Sequence, residues 1–313
     1  MEKFEKRVFG CAIIKAINSN YNADFSGQPR TLPDGTVYAT DKAFKYSVKN
    51  YIKDVYPDSK VFYFKSLNET MNPISLDESY KKHFGEYPKG IGKDKDKIVK
   101  PTVAKNILSC LDVRLFGATF AGETNISIHG TVQVNHGINI WHENNIYSEQ
   151  ITSPFSNKAN DPDAERGNTT LGRQSKLQEG HYVHHFSVNP QNLKDVLAIE
   201  GSSIGLSTDD IATLKEAMRR GATWYDSAAK AGTENELLIW VQLNSQSKLV
   251  LPNFTSFVAI EKAKQDGKSV YDLSKLATEL KKYQSEIEAI EIYVNAQTTV
   301  LKSIPEKAQI KEL

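Results

Sequence analysis

The order of the first three predicted elements constrains the fold of this chain most strongly. Residues 7–17, RVFGCAIIKAI, are almost entirely apolar and predict a buried β-strand. Residues 18–39 are crowded with Asn, Gly, Pro and Asp, which predicts a long loop. A helix follows directly, so the strand end, the polar loop and the helix N-terminus are expected to converge, as they do in many phosphate-binding βα units. No glycine-rich nucleotide-binding motif accompanies them.

The helix, residues 40–55, carries lysines along one side. Thr40 suits the N-cap and Asp41 the first turn, and apolar side chains recur at helical spacing: Phe44, Val48, Tyr51, Ile52 and Val55. At about 100° per residue, four lysines fall within a sector of roughly 80° away from that apolar face: Lys42, Lys45, Lys49 and Lys53. We therefore expect a continuous exposed rail of positive charge. From the helix alone, the rail is either a solvated face or a surface for an anionic partner.

Composition indicates a soluble globular protein. The chain has 313 residues, of which 39% are hydrophobic and 25% charged. Cys11 and Cys110 lie in apolar surroundings without metal-ligand spacing, which predicts buried thiols in a reducing compartment and a cytoplasmic location. The N-terminal apolar run is short and contains Lys15, so we expect neither a signal peptide nor a membrane partner. A net charge of +1 argues against a strongly basic nucleic-acid-binding domain but allows local basic surfaces.

The remaining segments predict one elaborated α+β domain over residues 1–313. Residues 65–105 are interpreted as a surface insertion. Residues 126–135, ISIHGTVQVN, alternate apolar and polar side chains and predict a single strand with a polar face. Further strands are predicted at 181–189, 237–244 and 289–295, and further helices at 209–221, ending at Gly221, and from Asp272.

Three segments together resemble a known family. They are the N-terminal strand, Asn-rich loop and TDKAFKYSVKNYI helix, then LDVRLFGATF followed by ISIHGTVQVN, then GNTTLGRQSKLQEGHYVHHFSVNP. In this order they resemble the backbone subunit of CRISPR Cascade complexes, the seventh Cas protein family of the RAMP superfamily, and most closely its type I-B branch. The resemblance implies a modified RRM or ferredoxin-like core with insertions and a protruding β-hairpin called the thumb, here expected at 157–177.

The resemblance also implies a function without catalysis, cofactor or metal. Many copies would assemble along one CRISPR RNA and grip its backbone, while base pairing reads the target. The expected partners are the CRISPR RNA (crRNA), the target DNA strand, further copies of the chain, other Cascade subunits and the helicase–nuclease recruited for interference.

The resemblance assigns candidate RNA-binding residues in four groups. Lysines of the helix would contact phosphates: Lys42, Lys45 and Lys49. Lys53, which lies beside Asp54, is left out. Loop residues would add neutral donors: Asn18, Ser19 and Asn20. Three polar residues of LDVRLFG and ISIHGTVQVN would reach ribose or phosphate, or else serve structural hydrogen bonds: Arg114, expected on a strand, His129 and Gln133. Cations of the candidate thumb would face nucleic acid, unless that segment is a disordered loop: Arg166, Arg173 and Lys176.

Three alternative functions remain open. In a strand, His181 and His185 share a face but lie about 13 Å apart, and His184 points away, so a zinc site is disfavoured. In the related type III backbone subunits a loop aspartate helps to cleave target RNA, and Asp24 or Asp34 could hold Mg²⁺ here, although both also suit turns. A protein-interaction subunit that binds no nucleic acid is the third alternative.

Overall fold

The structure is a computed structural model that describes residues 2–156, 168–200 and 205–313. Arg166 and most of the loop of the candidate thumb lie outside these residues. The helices and strands are, in chain order, β1 (Val8–Ser19), β2 (Tyr38–Ala39), α1 (Asp41–Val55), α2 (Leu76–Phe84), α3 (Lys100–Leu108), α4 (Leu111–Phe116), β3 (Gly117–Ala121), β4 (Asn125–His129), β5 (Val132–Val134), β6 (Gly137–Asn139), β7 (Ile146–Ser156), β8 (Asn168–Val188), α5 (Lys194–Glu200), α6 (Thr208–Trp224), β9 (Thr233–Leu243), β10 (Ala259–Ile260), β11 (Ser269–Asp272), α7 (Ser274–Lys281), β12 (Ile287–Val294), β13 (Thr299–Lys302) and β14 (Ala308–Lys311).

A nine-stranded mixed sheet with β1 at its centre organises the chain. Its order is β14-β12-β9-β1-β8-β6-β2, with β5 and β7 also paired to β8. Strand β1 is antiparallel to both β8 and β9. It is buried on both faces: Ala12 and Ile14 pack towards α1 and α6, whereas Cys11 and Ile13 pack towards α7. Two-sided burial explains why the sequence of β1 reads as a continuous apolar run.

Helix α1 lies on one face of the sheet beside α6. Its predicted apolar side chains, Phe44, Val48, Tyr51 and Ile52, are buried. The two helices meet at Gly221, where an added Cβ would lie 2.8 Å from the Ser47 carbonyl oxygen. The predicted helix end at Gly221 is therefore wrong: α6 continues to Trp224, and the glycine serves close helix packing.

The strand predicted from the alternating run 126–135 is wrong as a single element. Strand β4 pairs with β3 in a separate two-stranded sheet, whereas β5 pairs with β8 in the main sheet. The extended strand is interrupted at Gly130, where an added Cβ would lie 2.2 Å from the backbone nitrogen of Gly117. This close backbone approach separates the two halves of the alternating pattern.

Part of the predicted surface insertion contributes to a third hydrophobic cluster. Tyr80 and Tyr87 stack with ring centroids 4.3 Å apart, and Phe62 and Phe120 pack beside them. Residues 91–97 of the same region are exposed. Assignment of 65–105 as an insertion stays a prediction.

A long antiparallel hairpin, β7–β8, extends beyond the C-terminal end of β1, where Ser19 pairs with Leu177. The two strands pair from Ile146 opposite Leu177 to Ser156 opposite Asn168. The hairpin therefore begins well before residue 157, where the candidate thumb was expected to start.

Candidate nucleic-acid interface

Four segments meet where β1 ends, and we call this meeting place the junction: residues 18–30, 146–150, 173–178 and 225–232. The Asn20 side-chain amide donates to the carbonyl oxygens of Gly27 and Ser175, both at 3.1 Å. Gln28 donates to the Ser148 hydroxyl at 3.4 Å, which connects the polar loop to the base of the hairpin. Gln174 in turn donates to the Ala228 carbonyl oxygen at 3.0 Å. The junction is thus held by hydrogen bonds between segments that are distant in sequence.

Gly232 allows residues 225–232 to lie against β1. Its φ is +96°, and an added Cβ would lie 2.3 Å from the Ile17 carbonyl oxygen. The Gly232 carbonyl accepts from the Ile17 backbone nitrogen at 2.9 Å, and the Ala229 carbonyl accepts from that of Asn20 at 2.7 Å. Only glycine combines this φ with so close an approach.

The N-terminus of α1 is fastened to the same loop. Asn22 Oδ1 accepts from the backbone nitrogen and the hydroxyl of Thr40, at 2.9 and 3.0 Å. Thr40 caps the helix by accepting from Ala43. The expected convergence of strand end, polar loop and helix N-terminus is confirmed.

The prediction of a continuous exposed rail of lysines on α1 is wrong. Lys42 is exposed, but Lys45 pairs with Asp41 at 2.9 Å with only 17% of its side chain exposed. Lys49 donates to the Tyr63 carbonyl oxygen at 2.6 Å, and burial lowers its pKa. Lys53 is exposed and lies over the Phe64 ring. The two middle lysines are taken up by Asp41 and by Tyr63 from the segment after α1, so helical spacing alone overestimates the exposure of the rail.

The three predicted loop donors differ in accessibility. Asn18 is exposed, and its Oδ1 accepts from the Tyr147 hydroxyl at 3.2 Å. Ser19 is buried and shares a hydrogen bond of 3.0 Å with the Thr233 hydroxyl. Asn20 is buried and holds the junction together as described above. Of the three, Asn18 is the one presented to solvent.

Arg114 lies on α4, so its predicted place on a strand is wrong. Its guanidinium makes two hydrogen bonds to Asp210, at 2.7 and 3.1 Å, and two more to the carbonyl oxygens of Leu108 and Ser109. With four donors used in this way, the residue fixes α4 to the N-terminus of α6. Asp210 is 14 residues before Trp224 on α6, about 21 Å along the helix, so Arg114 lies away from the junction.

His129 and Gln133 lie on either side of the interruption between β4 and β5, where Thr131 contacts Arg114. Thr131 donates to the Arg114 carbonyl oxygen through its backbone nitrogen at 3.1 Å, and Gln133 donates to that of Gly130 at 2.9 Å. His129 is exposed at the end of β4. These residues therefore form a second group, separate from the junction.

The hairpin contributes two of its three predicted cations to the described structure. Arg173 is exposed, and it pairs in register with Gln150. Lys176 forms an ion pair of 3.2 Å with Glu149.

The loop aspartates serve turns. Asp24 Oδ1 accepts from the Ser26 hydroxyl at 2.7 Å and from the backbone nitrogens of Ser26 and Gln28; the Ser26 hydroxyl contributes most to lowering its pKa. Asp34 accepts from the Thr36 backbone nitrogen at 2.9 Å. The described residues contain no group of three or more His, Cys, Asp or Glu side chains placed to hold a metal ion. These contacts of Asp24 and Asp34 do not favour the alternative in which a loop aspartate cleaves target RNA.

The histidines of β8 point to two faces, as predicted. His184 is buried against the Phe44 ring with centroids 4.9 Å apart, and burial lowers its pKa to about 4. His181 lies on the opposite face, 2.5 Å from a Glu236 carboxylate oxygen and 2.9 Å from the Tyr271 hydroxyl. Burial opposes charge on His181, but Glu236 and Glu179 together raise its pKa.

Lys230 is a junction residue that the sequence did not indicate. Its Nζ donates to the Tyr21 carbonyl oxygen and lies 5.2 Å from the centroid of the Tyr21 ring and 5.6 Å from that of Tyr225. Tyr225 also packs edge-on against Tyr46 of α1. A lysine between small residues in a loop carries no periodic signal, so only the folded contacts single it out.

These features define an α+β protein with a large mixed sheet and a polar junction beneath a long hairpin. A family model described as CRISPR-associated protein Cas7 matches residues 6–288. The chain therefore belongs to the Cas7 family, which confirms the family expected from the sequence.

A solved structure with a TM-score of 0.59 has a similar fold. A chain of a "CRISPR RNA-guided surveillance complex, pre-nicking" is similar over 98% of this chain and 96% of that chain, with a TM-score of 0.59 and 14% identity. A chain of a "CRISPR RNA-guided surveillance complex" is similar over 94% and 95%, with a TM-score of 0.47 and 13% identity. A comparison with curated proteins found no match. In the part of the chain that the structure describes, no helix has the length and apolarity needed to cross a membrane.

Proposed function

We propose that this chain is a crRNA-binding backbone subunit of a type I Cascade surveillance complex, of the I-B branch, and that it acts without catalysis in the cytoplasm. Family membership over residues 6–288 carries the proposal. Several copies would line one guide RNA, hold its phosphates and present its bases to the target DNA strand. Other Cascade subunits and the recruited helicase–nuclease complete the set of proposed partners.

An RRM-like core is supported by strand order and direction. Strands β9-β1-β8-β6 are adjacent and antiparallel in that order, α1 follows β1, and α6 lies between β8 and β9. Both helices pack on the same face of these strands. This is the arrangement expected of a βαββαβ ferredoxin-like unit.

The opposite face of the sheet explains why RNA would bind at the strand ends. In a simple RRM that face stacks bases on exposed aromatic side chains. Here it is covered by a second hydrophobic cluster that includes Phe254, Leu273 and Leu276. The junction, by contrast, presents exposed polar residues such as Asn18 and Arg173 at the end of β1.

Accessible side chains define the proposed RNA contacts most sharply. Lys42, Asn18 and Arg173 are exposed on the first turn of α1, at the end of β1 and on the hairpin, and the N-terminus of α1 is fastened to the junction loop through Asn22. Lys45 and Lys176 would have to exchange a carboxylate for a phosphate. The hairpin β7–β8 is the proposed thumb, and Arg166 belongs to its part outside the described residues.

Copurification and salt-dependent binding test the proposal. The protein purified at low salt is expected to carry RNA, seen as a high ratio of absorbance at 260 to 280 nm. After RNA removal it should bind CRISPR RNA with an affinity that falls as salt rises, because bound cations release counterions. A nucleic-acid-free protein that fails to bind CRISPR RNA at low salt would contradict the proposal and favour a protein-interaction subunit.

A further inference from the structure

Lys230 is a half-buried cation that has no carboxylate within ion-pair distance, a property that it shares with Lys49 of α1, although Lys49 is near enough to Asp112 for that carboxylate to raise its pKa. Five side chains with between 15% and 22% of their surface exposed each lie 2.5 to 3.2 Å from a carboxylate oxygen: Lys15, Lys45, Arg114, Lys176 and Lys215. Among the residues that the structure describes, no carboxylate comes within ion-pair distance of Lys230. The groups that face its ammonium are the Tyr21 carbonyl and the rings of Tyr21 and Tyr225.

An ammonium in these surroundings is incompletely satisfied. It has three donors, and one carbonyl oxygen accepts from it in the described structure. Aromatic faces attract a cation but carry no net negative charge to compensate it as a carboxylate does. Burial accordingly lowers the Lys230 pKa to about 8. The folded protein therefore holds a cation whose burial costs free energy in the absence of an anion.

The position of Lys230 indicates which anion would compensate it. Residues on both sides of Lys230 are fastened to the end of β1, through the Ala229 and Gly232 carbonyls, and Ala228 is bonded to Gln174 of the hairpin. Asn18 and Arg173 are exposed on the two segments that meet this loop. A chain of phosphates following the junction would pass these groups together.

We propose that Lys230 binds a phosphate of the guide RNA at the junction, where the phosphate replaces the missing carboxylate. This inference rests on the proposed function and adds to it a binding residue that lies outside the lysine helix. Tyr21 and Tyr225 position the ammonium, since their rings flank it and the Tyr21 carbonyl fixes it.

The inference predicts opposite effects on binding and on stability. Lys230→Met keeps the aliphatic chain against the rings and removes the charge. We expect guide RNA to bind roughly tenfold more weakly at low salt, and the slope of log affinity against log salt to become shallower by about 0.7. The melting temperature of the RNA-free protein should stay the same or rise, because an uncompensated cation has been removed.

Two further variants separate a phosphate contact from a structural role. Lys230→Arg keeps the charge that releases a counterion, so it should keep the wild-type salt slope and bind RNA within about threefold of the wild type. Lys215→Met is the matched control, because Lys215 also lies over an aromatic ring, that of Trp240 at 4.7 Å, but is compensated by Glu291. This control should leave the salt slope unchanged.

The experiment is fluorescence anisotropy with labelled CRISPR RNA over a salt series, together with thermal melts of the RNA-free proteins. Wild-type slope and affinity in Lys230→Met, or a lowered melting temperature together with weak binding, would overturn the inference. So would an arginine variant as weak as the methionine variant. If the wild-type protein itself binds no guide RNA, the proposed function fails first, and the inference fails with it.

Discussion

The two ends of α6 place their cations in opposite surroundings. Near its first turn, Arg114 from α4 makes four hydrogen bonds, two of them to the carboxylate of Asp210. Beyond its last turn, Lys230 has a carbonyl oxygen and two aromatic rings but no carboxylate. Charge compensated inside the protein stabilises the fold, whereas charge left without a carboxylate at a polar junction is available to an anionic ligand. This difference makes Arg114 a structural cation and Lys230 a candidate RNA contact.

The largest effect is expected from removing Arg114, the cation that is compensated by Asp210, and it should appear in the free energy of unfolding. Arg114→Ala would leave Asp210 as a largely buried carboxylate without its cation, and we expect the free energy of unfolding to fall by about 3 kcal/mol. Urea denaturation measures this loss. The RNA salt slope of the folded fraction should not change, and a stable Arg114→Ala protein that has lost RNA binding would place Arg114 in the interface instead.

A smaller effect, confined to binding, is expected from the exposed cations near the junction. The double variant Lys42→Ala, Arg173→Ala should weaken guide RNA binding and reduce the salt slope by about 1.4, for two phosphate contacts on a single strand. Anisotropy titrations over a salt series measure the slope, and urea denaturation should show unchanged stability.

A matched double variant controls for the general loss of positive charge. Lys275 and Lys281 are exposed on α7, which packs on the opposite face of the sheet. Lys275→Ala with Lys281→Ala should retain the wild-type slope. Equal losses in the two double variants would mean that RNA responds to net charge and not to the junction.

The smallest expected effect is the change of stability with pH that is caused by Lys230, the cation without a carboxylate. The Lys230 pKa is about 8 in the folded protein and near 10.4 in the unfolded chain, so between these values the unfolded chain binds more protons. Stability from this group therefore rises with pH across that window. The melting temperature of the wild type relative to Lys230→Met should increase from pH 7 to pH 10, as measured by calorimetry. A constant difference between the two proteins would show that Lys230 titrates as an ordinary exposed lysine.

The elements around β1 could be predicted because their signals are local. Two-sided burial produces the apolar run of β1, and helical spacing together with the Thr40 cap identifies α1. The junction itself was predictable in outline, since a loop between two such elements must lie beside both. The buried environment of both cysteines, Cys11 and Cys110, also follows from their apolar neighbours.

The errors in predicting which cations are exposed come from contacts between residues that are not neighbours in the sequence. Helical spacing cannot reveal that Tyr63 accepts from Lys49 and so removes it from the exposed face. Arg114 meets Asp210 across 96 positions, and Lys230 meets Tyr21 across 209. Such partners decide whether a cation is structural or available, and no periodicity encodes them.

Crosslinking of the guide RNA tests the central claim most directly. A complex assembled on CRISPR RNA that carries 4-thiouridine would be irradiated, digested and examined by mass spectrometry. The account predicts crosslinked peptides from residues 18–30, from the base of the hairpin at 173–178 and from 225–232. Crosslinks confined to α7 and the C-terminal strands, with none at these three segments, would contradict it.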